Sequence, residues 1–152
     1  MDTDAKKQDA LAFLKGHRIG TLATLSPEGT PHARPVYYVC DDVFAIYFLT
    51  LSNTRKVADL AHDARAAFTV FAEDVPQMIQ IEGTAKDLTN EAVINPIVRA
   101  LLDTLTSNAT YHAPLTRFDP GKVTFYGITP SAVHWGDFTH GQGTSNVLAD
   151  LA

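Results

Sequence analysis

Apolar residues recur at two different periods along this chain, and the switches between them mark its elements. Over residues 3–15, Ala10, Leu11 and Leu14 fall on one helical face, Thr3 is able to cap the start, and Gly16 ends the run. From Arg18 the character becomes extended. Ile19–Leu25 and Pro31–Cys40 read as strands joined by Ser26-Pro27-Glu28-Gly29, where Pro presets one backbone dihedral and Gly accepts a positive one. Asp41-Asp42 makes a second turn. Val43–Thr50 then runs unbroken through apolar and aromatic residues, which predicts a strand buried on both faces.

A short helix should follow, capped by Ser52 or Asn53, with Val57, Leu60 and Ala61 as its apolar stripe. Arg65–Phe71 and Gln77–Leu88 are the next strands, joined by a loop holding Glu73, Asp74 and Pro76. Residues 90–106 are helical by period, with Asn95 as a fresh cap and Pro96 at the first helical position. Residues 107–120 read as a loop, Lys122–Ile128 and Ala132–Phe138 as the last strands, and 141–152 as a loose polar tail behind a single domain over 1–140. The connections between most of the six or so strands are too short for parallel crossovers. The pattern therefore predicts a mainly β fold, an antiparallel barrel or sandwich with two or three peripheral helices.

Composition narrows the function classes. A chain of 152 residues, 45% hydrophobic and 19% charged, fits one ordinary globular core. Its net charge of −5 argues against sequence-independent nucleic-acid binding, which needs a basic surface. One cysteine, Cys40, excludes an intrachain disulfide framework and a cysteine-rich zinc site, and its apolar neighbours make it a small core residue. The acidic start Met1-Asp2-Thr3-Asp4 lacks the features of a signal peptide, and no apolar run is long enough to span a bilayer, so the expectation is a cytoplasmic protein with no membrane partner.

The chemistry concentrates in Thr50-Leu51-Ser52-Asn53-Thr54-Arg55-Lys56, between a strand and a helix. Free N–H groups at a helix start, a favourable dipole, hydroxyl side chains and two cations suit a phosphate. The alternative is a capped helix with solvated basic residues, although cations in a first turn oppose the dipole. Arg34, in an otherwise apolar strand, either points to water or clamps the same anion. His112, His134 and His140 lack a metal-ligand spacing, and Glu73, Asp74 and Asp59 read as solvated turns and faces. No catalytic side chain and no metal site are assigned.

These stretches, taken together, resemble the pyridoxamine 5′-phosphate oxidase-like family. Ala-Thr-Leu-Ser-Pro-Glu-Gly-Thr-Pro-His-Ala-Arg-Pro-Val over residues 23–36 is similar to the start of its split barrel. Leu49-Thr50 with Thr54-Arg55-Lys56 is similar to its phosphate loop, Ile81-Glu82-Gly83-Thr84-Ala85 to its "V-E-G-T-A" strand, and Pro130 to Trp135 to its C-terminal strand. The resemblance implies a six-stranded antiparallel Greek-key split barrel that binds FMN at the interface of a homodimer and exchanges electrons with a small molecule. By this carry-over Arg55 and Lys56 hold the phosphate beside Arg34, Thr50 and Thr54. Leu49 precedes them, and the strand Arg34, Pro35, Val36, Tyr37 lies along the flavin. Trp135 approaches the ring from the partner subunit. The family's flavin-contacting glutamine falls on Met78, with Gln77 adjacent. Val39 stands where the oxidases carry a substrate-binding lysine, and their C-terminal basic run has no counterpart after Trp135. Both departures point away from pyridoxamine phosphate and towards the smaller, general-stress-type members. The alternatives within the resemblance are a flavin-binding stress protein without turnover, or the same fold holding F420 or haem.

Overall fold

The computed structural model describes residues 3–94, 96, 97, 100, 123–139 and 144–147. Helix α1 (Thr3–Lys15) buries Ala10, Phe13 and Leu14. The Gly16 amide closes it on the carbonyls of Ala12 and Phe13, at 3.0 and 3.1 Å. Strands β1 (Ile19–Leu25) and β2 (Pro31–Tyr37) form a hairpin in register from Ile19↔Tyr37 to Leu25↔Pro31. Its turn needs Gly29, whose φ is 81°, a value L side chains rarely adopt.

The expected single strand Pro31–Cys40 is interrupted at Tyr38, which leaves β2 and a two-residue β3 (Val39–Cys40). Tyr38 turns inward instead. Its amide donates to Arg18 O at 3.0 Å, and its hydroxyl donates to Leu14 O at 2.5 Å. The next strand also starts later than expected, as β4 (Ile46–Leu51). The Asp41 carboxylate accepts the amides of Val43 and Ala45, at 3.0 and 2.9 Å, and holds the chain in a turn with Phe44 at φ 65°. Val43 is consequently 64% exposed. Strand β4 is not evenly buried on both faces. Ile46, Phe48 and Thr50 point into the core, whereas Tyr47, Leu49 and Leu51 are half-buried. Apolar continuity arises because the outer face also carries rings, Tyr47 stacking on Phe125 at 6.2 Å.

Helix α2 (Arg55–His62) leads to β5 (Arg65–Ala72) and β6 (Gln77–Asp87). Where an α-helix was expected from residue 90, Thr89–Ile94 forms a 3-10 helix, and Pro96, Ile97 and Ala100 are α-helical. Asn95, 101–106, the loop 107–120 and most of the tail lie outside the described residues. The two expected C-terminal strands are one 15-residue strand, β7 (Val123–Asp137). Pro130 fits because it lies at a bulge, where the register shifts between Glu82 and Gly83. Part of the stretch expected to be a loose tail is strand β8 (Thr144–Val147), paired with β7.

The described strands number eight, two more than expected, in one antiparallel sheet ordered β2-β1-β5-β6-β7-β4-β3 with β8 beside β7. Strand β7 explains the split. Its first half pairs with β4 and its second half with β8, while β6 runs along its other side. The sheet curls into a split barrel around Leu22, Phe48, Phe68, Ile81 and Val133, with Phe13 and Leu14 of α1 closing one side. No helix among the described residues is long and apolar enough to cross a membrane.

At Gly83 strands β6 and β7 approach closely: a Cβ there would sit 2.3 Å from the Thr129 carbonyl oxygen. Gly83→Ala should therefore cost about 2 kcal/mol, as other overpacked cores do. An unchanged urea midpoint would show that the bulge relaxes freely.

Candidate functional site

The strand-to-helix segment places its polar groups without satisfying them. Thr54 is the N-cap of α2 by position, but its side chain makes no capping bond. Its hydroxyl is already committed, donating to Leu51 O at 3.0 Å and meeting Thr50 Oγ1 at 3.2 Å. The first helical bond runs from the Ala58 amide to Thr54 O, at 3.4 Å. The amides of Arg55, Lys56 and Val57 thus find no acceptor among the described residues, and the first turn holds no acidic side chain. Neither Ser52 nor Asn53 caps the helix. Ser52 Oγ instead bonds Thr124 Oγ1 at 2.8 Å, tying the loop to β7.

The β1–β2 hairpin brings a third cation to this end of α2. Period-two alternation turns His32, Arg34 and Val36 to the inner side of β2, and Pro35 and Tyr37 to the other. Arg34 donates from Nη1 to Thr24 Oγ1 at 2.7 Å and lies with Nη2 3.5 Å from Asp59 Oδ2. Burial pushes the Arg34 guanidinium below its ordinary value and the charge of Arg55 pushes the same way, against the pull of Asp59. Burial likewise pushes the Lys56 ammonium down, with Arg34 adding to it. These shifts mean that Arg34, Arg55 and Lys56 are near enough to repel one another.

Beneath the three cations lies Asp59, 2% exposed, which the sequence pattern had placed on a solvated face. On α2 it takes the buried place next to Leu60, while Ala61 faces solvent. A single oxygen, Oδ2, accepts from Thr24 Oγ1 at 2.7 Å and from His32 Nδ1 at 2.8 Å. Burial opposes ionisation of this carboxyl. The bonds from Thr24 and His32, with the charges of His32 and Arg34, outweigh it and hold the group below its ordinary value. Thr24, His32 and Asp59 were missed in the sequence. The available signal was the alternation His32-x-Arg34-x-Val36 together with an acid one turn after Arg55.

The other expected site residues lie elsewhere. Leu49 points away from Thr50 on β4. Gln77 and Met78 open β6, where they pair with Asp137 and Gly136. Because Leu22 pairs with both Arg34 and Phe68, and Phe68 with Ile81, Gln77 is four residues, about 13 Å, along the sheet from the level of Arg34. Trp135 is 2% exposed, its ring 5.3 Å from that of Phe13. It is packed into this protomer's core, which leaves almost no surface for a ligand. Cys40 is half-buried, and burial pushes its thiol up to about 12, as suits an unreactive residue. A cavity of about 550 Å³ opens on the outer side of β1, β5 and β6, but none of the three cations lines it.

A cation cluster at an uncapped helix start, framed by a split barrel, is the setting of the family resemblance, and a sequence match decides it. The family model for pyridoxamine 5′-phosphate oxidase matches residues 7–134. The chain belongs to this family. A pyridoxine/pyridoxamine 5′-phosphate oxidase from Bordetella avium is 26% identical over 126 residues, covering 78% of this chain and 60% of that protein. A 5a,11a-dehydrotetracycline/5a,11a-dehydrooxytetracycline reductase from Streptomyces rimosus is 31% identical over 91 residues, 53% of this chain and 63% of the relative. The chain spans from about a third to under two thirds of the length of the curated relatives it matches. Among solved structures, a conserved hypothetical protein from Mycobacterium tuberculosis superposes with a TM-score of 0.72 at 22% identity, over 95% of this chain and 93% of its own. A heme binding protein from Mycobacterium smegmatis gives 0.70 at 22%, covering 97% of this chain and 58% of its own. An F420 reductase gives 0.65 at 18%, over 80% and 93%. At these identities the structures share the fold.

The buried carboxylate has a testable energetic signature. Removing one partner of a buried, hydrogen-bonded charge cluster should cost about 3 kcal/mol, so Asp59→Ala should lower stability by that order at pH 7. Because the folded Asp59 ionises below its ordinary 3.8, its contribution is present above that value and is lost as pH falls through the depressed one. The stability gap between wild type and Asp59→Ala in denaturant titrations should therefore narrow as pH is lowered from 7 to below 3.8. A gap that is constant with pH would refute the ionised carboxylate.

Proposed function

We propose that this protein is an FMN-binding flavoprotein and an FMN-dependent oxidoreductase that works as a homodimer in the cytoplasm. One observation carries the reading: the free amides of Arg55, Lys56 and Val57 converge with the Arg34, Arg55 and Lys56 charges on one uncapped helix end. Such an array is unfavourable when empty and favourable around a phosphate dianion, so the donors present fit the phosphate of FMN. The bound flavin would supply the redox chemistry, while the chain supplies binding and electrostatics. Arg34 is braced for that task by Thr24 and Asp59. Pyridoxamine phosphate is not the substrate on this reading, since Val39 stands where the resemblance places a substrate-binding lysine.

Titration of FMN and riboflavin into wild type and Lys56→Ala tests the phosphate anchor. A charge-assisted hydrogen bond is worth roughly 1.5–3 kcal/mol, so the variant should lose about one to two decades of FMN affinity and little riboflavin affinity. Equal losses for both ligands would remove the anchor. The same fold is found in a heme binding protein and an F420 reductase. The visible spectrum of the loaded protein separates flavin from deazaflavin and haem, and bleaching by NAD(P)H separates an enzyme from a passive binder.

The homodimer is proposed from the resemblance and from the sheet face beside Gln77 and Met78. These two residues, placed in the flavin site by resemblance, lie about 13 and 10 Å along the sheet from the level of Arg34. Beside them the outer sheet face is apolar and open, with Phe71 62% exposed opposite Met78 and Ile19 49% exposed on the neighbouring strand. Sedimentation of the flavin-loaded protein at micromolar concentration should give a dimer, and Phe71→Glu should shift it towards monomer. A flavin-loaded wild-type monomer would sink this part of the reading.

A further inference from the structure

We propose that His32 is a proton-linked fourth cation of the anion site, oriented by Asp59, and that a phosphate-bearing ligand and a proton on His32 bind cooperatively. The inference rests on the anion-binding reading above and goes beyond it to a residue that has no part in it.

The geometry assigns the two ring nitrogens different work. Asp59 Oδ2 takes a bond from His32 Nδ1 at 2.8 Å, and an ionised carboxylate only accepts, so Nδ1 carries a hydrogen in either charge state. The proton that comes and goes is therefore the one on Nε2. That nitrogen has no partner among the described residues and is open to solvent, since no buried side-chain nitrogen or oxygen there lacks a bond. Nothing in the protein has to break for it to be protonated. Of the charged groups, Asp59 on α2 meets the ring directly and Arg34 on the same strand shares that carboxylate, while Arg55 and Lys56 on α2 are coupled to the cluster through Arg34; β1 contributes the Thr24 hydroxyl and no titratable residue.

The charge balance makes the coupling. With His32 neutral, Asp59 offsets one of the three cations. With His32 protonated, the offset is cancelled and the full charge of Arg34, Arg55 and Lys56 faces the ligand. An incoming dianion, in turn, favours the protonated ring. Linkage requires the two effects to be equal.

The test uses His32→Gln, which puts an uncharged polar side chain in place of the ring. FMN binding is measured by calorimetry at pH 6.5 in two buffers of different ionisation enthalpy, and affinity is followed from pH 6 to 8. The phosphate's own titration is common to both proteins, so it cancels in the comparison. Relative to His32→Gln, wild type should take up an additional fraction of a proton, and its FMN affinity should fall roughly fivefold further across the range, the low end of coupling between interacting sites. Riboflavin should show neither difference. Should His32→Gln fail to fold, the wild-type His32 ring signal in NMR answers the same question. At pH 7 it should move towards its protonated position with FMN and stay in place with riboflavin. Identical proton uptake and pH profiles in the two proteins, or a ring signal unmoved by FMN, would overturn the role of His32 while leaving the anion site standing. FMN binding no tighter than riboflavin in wild type would overturn both.

Discussion

The site depends on one buried carboxylate. Asp59 is the one acidic group that meets Arg34 among the described residues, and it joins α2 to both strands of the first hairpin through Thr24, His32 and Arg34. Without it, Arg34 and Lys56 would repel across a partly desolvated gap, and α2 would have no polar tie to β1. With it, Arg34 is tied to α2 while the cluster keeps a positive excess. The low-dielectric setting cuts both ways: it makes the carboxylate costly to bury alone and effective once Thr24 and His32 donate to it.

Fold and anion grip differ in how far they were legible. The hairpin at Ser26–Gly29, the strands β5 and β6 and the helix after Thr50 follow from local period and turn chemistry, and each begins within a residue or two of its expected place. What failed needed tertiary information. Tyr38 ends β2 because its hydroxyl reaches Leu14, 24 residues away, and no local pattern announces that bond. Val43–Ala45 looked like strand because its residues are apolar, but two amides closing on Asp41 bend it into a turn. Strand β7 looked like two because Pro130 interrupts it, and only the bulge opposite Gly83 lets a proline stay in register.

The same distinction holds inside the site. Arg34, Thr50, Thr54, Arg55 and Lys56 announce themselves because cations and hydroxyls at a strand-to-helix junction have few other uses. Asp59 did not, because an acid on a short helix is normally solvated, and its burial depends on two donors from another element. Trp135 misled for the opposite reason. A late aromatic on a strand suits an interface, but Phe13 on α1 packs against it, and helix packing on a sheet is not visible in the strand's own pattern.

Recognition in this architecture divides into two parts. The proposed phosphate end is built from backbone amides and side chains of one helix and one hairpin, all within a single protomer, and its geometry is braced by hydrogen bonds averaging under 3 Å around Asp59 and Thr24. The end that faces a reacting ring is not braced in this way. Strand β2 is an edge of the sheet with Pro35 exposed on it, and Gln77 and Met78 lie at the far end of β6. On the proposed reading, the identity of the ring and of its redox partner is therefore set by different residues from those that form the phosphate grip.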